Sequence, residues 1–121
     1  MAIMRTKFSG WFEKRFLAWQ LEKGDRKSID EFAQFLGFPR TTVVQWMNGA
    51  RRPSDVNAFA LAQKLGLEVY DALELQRPDE TLFHVRADWH LLSERERKAI
   101  GRILREARGR YGPGIKPIDS A

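Results

Sequence analysis

Between Arg40 and Asn48 lie side chains whose chemistry suits the edges of paired bases. The Arg40 guanidinium presents two parallel donors that match O6 and N7 of guanine. The Gln45 carboxamide both donates and accepts, as the edge of adenine requires. Thr41 offers a hydroxyl or a methyl, and Val44 an apolar surface for a thymine methyl. Asn48 brings a second carboxamide at the end of the run. These side chains share one outward region only if the segment is helical. Val43 and Trp46, at i and i+3, then turn the other way. Arg51 and Arg52 follow directly and suit phosphate oxygens. Ser28 opens the preceding helix, and a helix N-terminus favours an anion nearby. Each has a plainer reading: a solvated helix surface or a phosphate contact for Arg40 and Gln45, a basic loop for Arg51 and Arg52, a cap alone for Ser28.

Holding such a face in place requires two short helices that cross closely. The segment Ser28–Gly49, SIDEFAQFLGFPRTTVVQWMNG, supplies them. Ser28 with Glu31 three residues on makes a capping-box pattern for a helix over Ile29–Leu36. Ala33 is small where the helices must cross, and Gly37 tolerates a left-handed backbone at the turn. Phe32 and Leu36 complete the inner face. A second helix runs from Pro39 or Arg40 to Asn48 and closes at Gly49. Thr42 reads as a packing or helix-start residue.

The rest of the chain reads as further helices with short punctuation. Phe8, Trp11, Phe12, Phe16 and Trp19 form one helical stripe, predicting a helix from about Ser9 to Lys23, closed at Gly24. Asp25, Arg26 and Lys27 connect it to the next. Ser54 caps a helix reaching Leu65, and a short helix follows over Val69–Leu75. Leu82, Val85 and Trp89 fit a helix over Asp79–Trp89, with a strand at Leu82–Val85 as the alternative. Ser93 and Glu96 repeat the capping-box pattern and open a helix over Glu94–Arg110. Its stripe of Ile100, Ile103, Leu104, Ala107 and Tyr111 must be covered by something. One cover is the chain's own helical core, helped by Leu91, Leu92 and Trp89; the other is a second subunit. Trp11, Trp19 and Trp46 are expected in the core. The expected division is 8–76 for the helix-turn-helix domain, 77–111 for a helical extension that packs or dimerises, and 112–121 for a disordered tail.

On these residues the sequence resembles the Cro/cI family of helix-turn-helix proteins, also called the Xre family. The likeness covers roughly Trp11–Leu75. It rests on EFAQFLG at Glu31–Gly37, W-x-N-G at Trp46–Gly49, the stretch Arg51–Ser54, and ALAQKLG at Ala60–Gly66. The resemblance implies an all-α, five-helix domain whose second and third helices address DNA. It also implies transcriptional regulation, usually repression, in bacteria or phages, often as dimers on palindromic sites. Two positions depart from the pattern. Ile29 stands where the family often has a backbone-clamping glutamine, and Pro39 replaces the usual Ser or Thr cap.

Composition agrees with that expectation. The net charge is +5, the footprint of many nucleic-acid binders and of many other soluble proteins. Its distribution is uneven: residues 1–23 carry five basic and two acidic side chains, residues 53–80 two and six, and residues 81–121 nine and five. No cysteine is present, which excludes disulfides and thiolate metal sites. His84 and His90, six apart, do not suit one metal on one helix face. No glycine-rich phosphate loop or paired-histidine motif is present, so no enzyme activity, cofactor or small-molecule ligand is expected. No apolar run approaches the ~20 residues of a spanning helix, and Glu13, Lys14 and Arg15 interrupt any secretory leader. A cytoplasmic protein binding double-stranded DNA is expected, with a homodimer open. The sharpest reading is a sequence-specific, repressor-like regulator using helix 40–48 in the major groove. A protein-interaction module such as an antitoxin, or a DNA-binding accessory factor of a mobile element, is the alternative.

Overall fold

Thr6 begins the first helix, two residues ahead of where the aromatic stripe alone would start it. In the computed structural model, which describes residues 5–24 and 27–111, helix α1 spans Lys7–Glu22. The Thr6 hydroxyl accepts from the Ser9 N–H at 3.0 Å, and the Ser9 hydroxyl accepts from the Thr6 N–H at 2.8 Å. This reciprocal pair satisfies two amides that a helix start leaves orphaned. It buries Ser9 completely. Asp25 and Arg26, within the expected connection, lie outside the described residues, as does the expected tail at 112–121.

Four more helices follow before Arg77: α2 (Ile29–Leu36), α3 (Arg40–Met47), α4 (Asp55–Leu65) and α5 (Glu68–Ala72). Ser28, Ser54 and Gly37 serve as the caps expected of them. The capping box at Ser28 is half formed. Its hydroxyl accepts from the Glu31 N–H at 3.2 Å, while the Glu31 carboxylate meets the same hydroxyl at 3.5 Å and Lys27 Nζ at 3.6 Å. Helix α5 ends three residues before its expected limit, because Glu74 adopts a positive φ of 58°. The Leu75 N–H then donates to Tyr70 O at 2.9 Å and the Glu74 N–H to Asp71 O at 3.0 Å. That is a Schellman closure with glutamate in the position glycine normally takes.

The core of this unit is aromatic, with Phe32 at its centre. Phe32 lies fully buried, with ring centroids of Phe12, Phe16, Trp19 and Phe35 between 5.0 and 6.4 Å away. Trp46 meets Phe12 edge-on at 6.1 Å. Of the expected core tryptophans, Trp46 is buried, whereas Trp11 and Trp19 are half-buried. Helix α1 packs on α3 and α5, α2 on α3, and α4 on α5. Arg15 lies over the Trp11 ring and donates to Leu65 O at 3.2 Å, satisfying a carbonyl at the end of α4.

The chain divides at Arg77 and Pro78 into two compact units. The second contains α6 (Glu80–Asp88), a 3-10 turn at Trp89–Leu91, and α7 (Glu94–Tyr111). Asp79 caps α6, so Leu82–Val85 is helical and the alternative strand does not form. Ser93 and Glu96 complete their box: the Ser93 N–H donates to the Glu96 carboxylate at 2.8 Å, and the Glu96 N–H to the Ser93 hydroxyl at 3.1 Å. The Ser93 N–H, and then the Ser93 hydroxyl, favour the ionised Glu96 carboxyl and hold its pKa below the ordinary value. Trp89 is 39% exposed, with Arg97 over its ring. Ile103 and Leu104, in the stripe expected to be covered, are 62% and 65% exposed. The described residues are all-helical, without strands.

Candidate nucleic-acid interface

The turn between α2 and α3 determines how α3 is presented. Gly37 takes φ 83°, and a Cβ added there would meet nothing within 4 Å. Its requirement is therefore one of backbone conformation, since L side chains rarely adopt this region. The Phe38 N–H donates to Ala33 O at 3.1 Å and the Gly37 N–H to Gln34 O at 3.2 Å, a Schellman motif. Phe38 then lies edge-on against Trp46, centroids 4.9 Å apart. One aromatic contact thus fastens the turn to the helix it introduces. Ala33 is buried beneath this turn, with no side-chain bulk to hold the helices apart. Pro39 occupies the N-cap of α3 with φ −60° and offers it no side-chain acceptor.

With Val43 and Trp46 buried, the remaining α3 side chains take the distribution expected of an exposed face. Arg40 and Thr41 are exposed, and Val44 and Gln45 half-buried. Asn48 sits at the C-cap, where its side-chain oxygen accepts from the Ala50 N–H at 2.9 Å. Its carboxamide thus has a local task that the sequence does not disclose. Arg40 is likewise engaged: its Nε lies 2.9 Å from an Asp30 carboxylate oxygen, both side chains more than 60% exposed. Asp30 is a neighbour of the candidate site that the sequence reading missed. Ten residues and a turn separate the pair, beyond any helical-spacing rule.

Beyond α3 the loop folds back, with the Arg51 N–H donating to Gln45 O at 3.2 Å. Arg51 and Arg52 then take different roles. Arg52 donates to Leu73 O at 2.7 Å, tying the loop to the end of α5. Both arginines border a cleft of about 260 Å³ that also includes Lys7 and Glu74, making its rim predominantly cationic. Ser28 is exposed at the start of α2 and acts as its cap.

Residues 21–71 match the model of the helix-turn-helix family. Residues 21–71 form a Cro/cI-type helix-turn-helix segment. Neither the curated proteins nor the solved structures yield a match. Helices α2 and α3 are the two helices for which the family is named, and the matched segment ends within α5. This is a DNA-binding family of transcription regulators, not typically enzymatic. Among the described residues, no helix is long and apolar enough to cross a membrane.

Proposed function

We propose that this protein is a sequence-specific, repressor-like regulator that lays the N-terminal part of α3 in a DNA major groove. The observation that carries the reading is the division of α3 into two faces. Val43 and Trp46 are buried, while Arg40 and Thr41 stand in solvent and Gln45 is half open. A helix anchored on one side and armed on the other with a guanidinium, a hydroxyl and a carboxamide suits base-edge recognition. Arg40, Thr41, Val44 and Gln45 address bases; Arg51, Arg52 and Ser28 address phosphates; Asn48 positions the helix exit. Residues 8–76 act as the reading head and 77–111 as an extension.

Selection of bound duplexes from a random library tests this directly. A defined motif is expected. Arg40→Ala and Gln45→Ala should each relax one base position, at about 1–3 kcal/mol on the preferred site. An unselective library, or the same motif from both variants, overturns the assignment.

A further inference from the structure

We propose that the cationic cleft behind the α3–α4 loop binds a small hydroxylated phosphomonoester, and that its occupancy opposes DNA binding. The cleft lies wholly within the first unit and encloses about 260 Å³. It is assembled from residues 6–8, 49–52 and 72–74, three segments that no sequence motif joins. Lys7, Arg51 and Arg52 bring three positive charges to it, against the single negative charge of Glu74. Arg52 is fixed by its bond to Leu73 O at 2.7 Å, which leaves four of its five N–H groups for another acceptor. The Arg51 guanidinium and the Lys7 ammonium make no ion pair with a described residue. Asp71 feels the Lys7 charge but is already held by Arg77, which donates to it at 2.9 Å. Lys7 and Phe8 are also the first two residues of α1, and their N–H groups find no acceptor among the described residues. No acidic side chain in the first turn of α1 offsets its positive end.

Each part of the lining selects part of the ligand. Unpaired cations and helix-start amides suit a terminal phosphate, whose dianion offers three acceptor oxygens. A DNA phosphodiester shares those oxygens, but it arrives within a polyanion that the Glu74 carboxylate repels. A small molecule presents one phosphate and can turn its hydroxyls toward Glu74, which accepts from them. Phe8, Ala72 and Leu73 also line the cleft and are at most 4% exposed. They give a short carbon skeleton an apolar base, as ligand clefts commonly do. The regulatory half of the proposal rests on the DNA-binding reading above. Arg51 and Arg52 cannot hold the ligand and the duplex phosphates together, so each ligand lowers the affinity for the other.

Isothermal titration calorimetry of the full chain without DNA, at fixed ionic strength, tests the site apart from the DNA-binding reading. The probes are ribose 5-phosphate, inorganic phosphate and ribose. Ribose 5-phosphate should bind one to one and about tenfold tighter than inorganic phosphate, and ribose should give no saturable heat. Lys7→Gln and Arg51→Gln should each weaken ribose 5-phosphate about tenfold, the loss of one charged hydrogen bond. Glu74→Gln should tighten inorganic phosphate and narrow its gap to ribose 5-phosphate, a gain that damage to the fold could not produce. Saturating ribose 5-phosphate should then weaken binding of the selected duplex about fivefold or more. No saturable heat from ribose 5-phosphate up to about 10 mM, equal affinity for the two anions, or unchanged affinity in Lys7→Gln and Arg51→Gln overturns the site. Ligand binding that leaves the duplex affinity unchanged overturns the competition. If no duplex is selected at all, the competition falls with the DNA-binding reading, while the titration still decides the site.

Discussion

Replacing Asp30 with asparagine should strengthen DNA binding while weakening the fold. In the free protein the Asp30 carboxylate holds Arg40 Nε at 2.9 Å, with side-chain exposures of 64% and 62%. Arg40 must leave that partner before its guanidinium can address a base. An exposed ion pair is worth about 0.2–1 kcal/mol, so its removal should lower the dissociation constant about 1.5- to 5-fold. Stability should move the other way. Asp30 lies in the first turn of α2, where a negative charge is stabilised by the positive end of the helix dipole, a contribution of about 0.3–1 kcal/mol. For a domain of this size that lowers the melting temperature by about 1–6 °C. The assay is fluorescence anisotropy on the selected duplex, beside a thermal melt. The same substitution in an Arg40→Ala background closes the cycle. If Asp30 acts by occupying Arg40, the gain shrinks there to the residual loss of one repelled charge. A gain of equal size in both backgrounds, or weaker binding in the single variant, would refute the reasoning.

Arg51→Ala and Arg52→Ala should both weaken binding to all sequences and flatten its salt dependence. Only Arg52→Ala should also cost stability, about 1 kcal/mol, and lower the melting temperature, because it loses the bond to Leu73 O. Gly37→Ala should cost about 1–2 kcal/mol in denaturant titration despite open space around its Cα, since the penalty lies in φ. Glu74→Gly should do the reverse at the end of α5 and stabilise by about 0.5–1 kcal/mol, the relieved strain exceeding the entropy cost. Glu96 is held below its ordinary pKa by the Ser93 N–H and hydroxyl. Its support of α7 should be complete above the unfolded carboxylate range and vanish as pH falls through the lowered value. Far-UV circular dichroism against Glu96→Gln reads that loss, and parallel acid profiles for the two proteins would contradict it.

The parts legible in the sequence are those governed by near neighbours. Ser28, Ser54 and Ser93 lie next to the helices they cap, and Gly37 announces a left-handed turn by its type alone. The aromatic stripe of α1 disclosed the helix, but not its start, because Thr6 pairs with Ser9 rather than the glutamate or glutamine that usually marks a capping box. The early end of α5 was hidden for a similar reason, since glutamate rarely takes the conformation Glu74 adopts. What the sequence could not show depends on residues far along the chain. Arg40 meets Asp30 across the turn, and Arg52 reaches a carbonyl 21 residues away. The stripe on α7 was visible as a pattern, but a pattern does not say what lies against it. Ile103 and Leu104 look the same in sequence whether an own-chain helix or nothing covers them.

The placement of the four tryptophans gives each unit its own optical reporter. Trp11, Trp19 and Trp46 belong to the first unit, and Trp46 is only 2% exposed. Trp89 is the single indole of the second, 39% exposed beneath a guanidinium. Emission from the first unit should therefore be blue-shifted by Trp46 and shielded from aqueous quenchers, while Trp89 should emit further to the red. Arg97 makes its surroundings cationic, so iodide should quench it more readily than caesium. The two halves of the chain are distinguishable in one cuvette by their light, without a label.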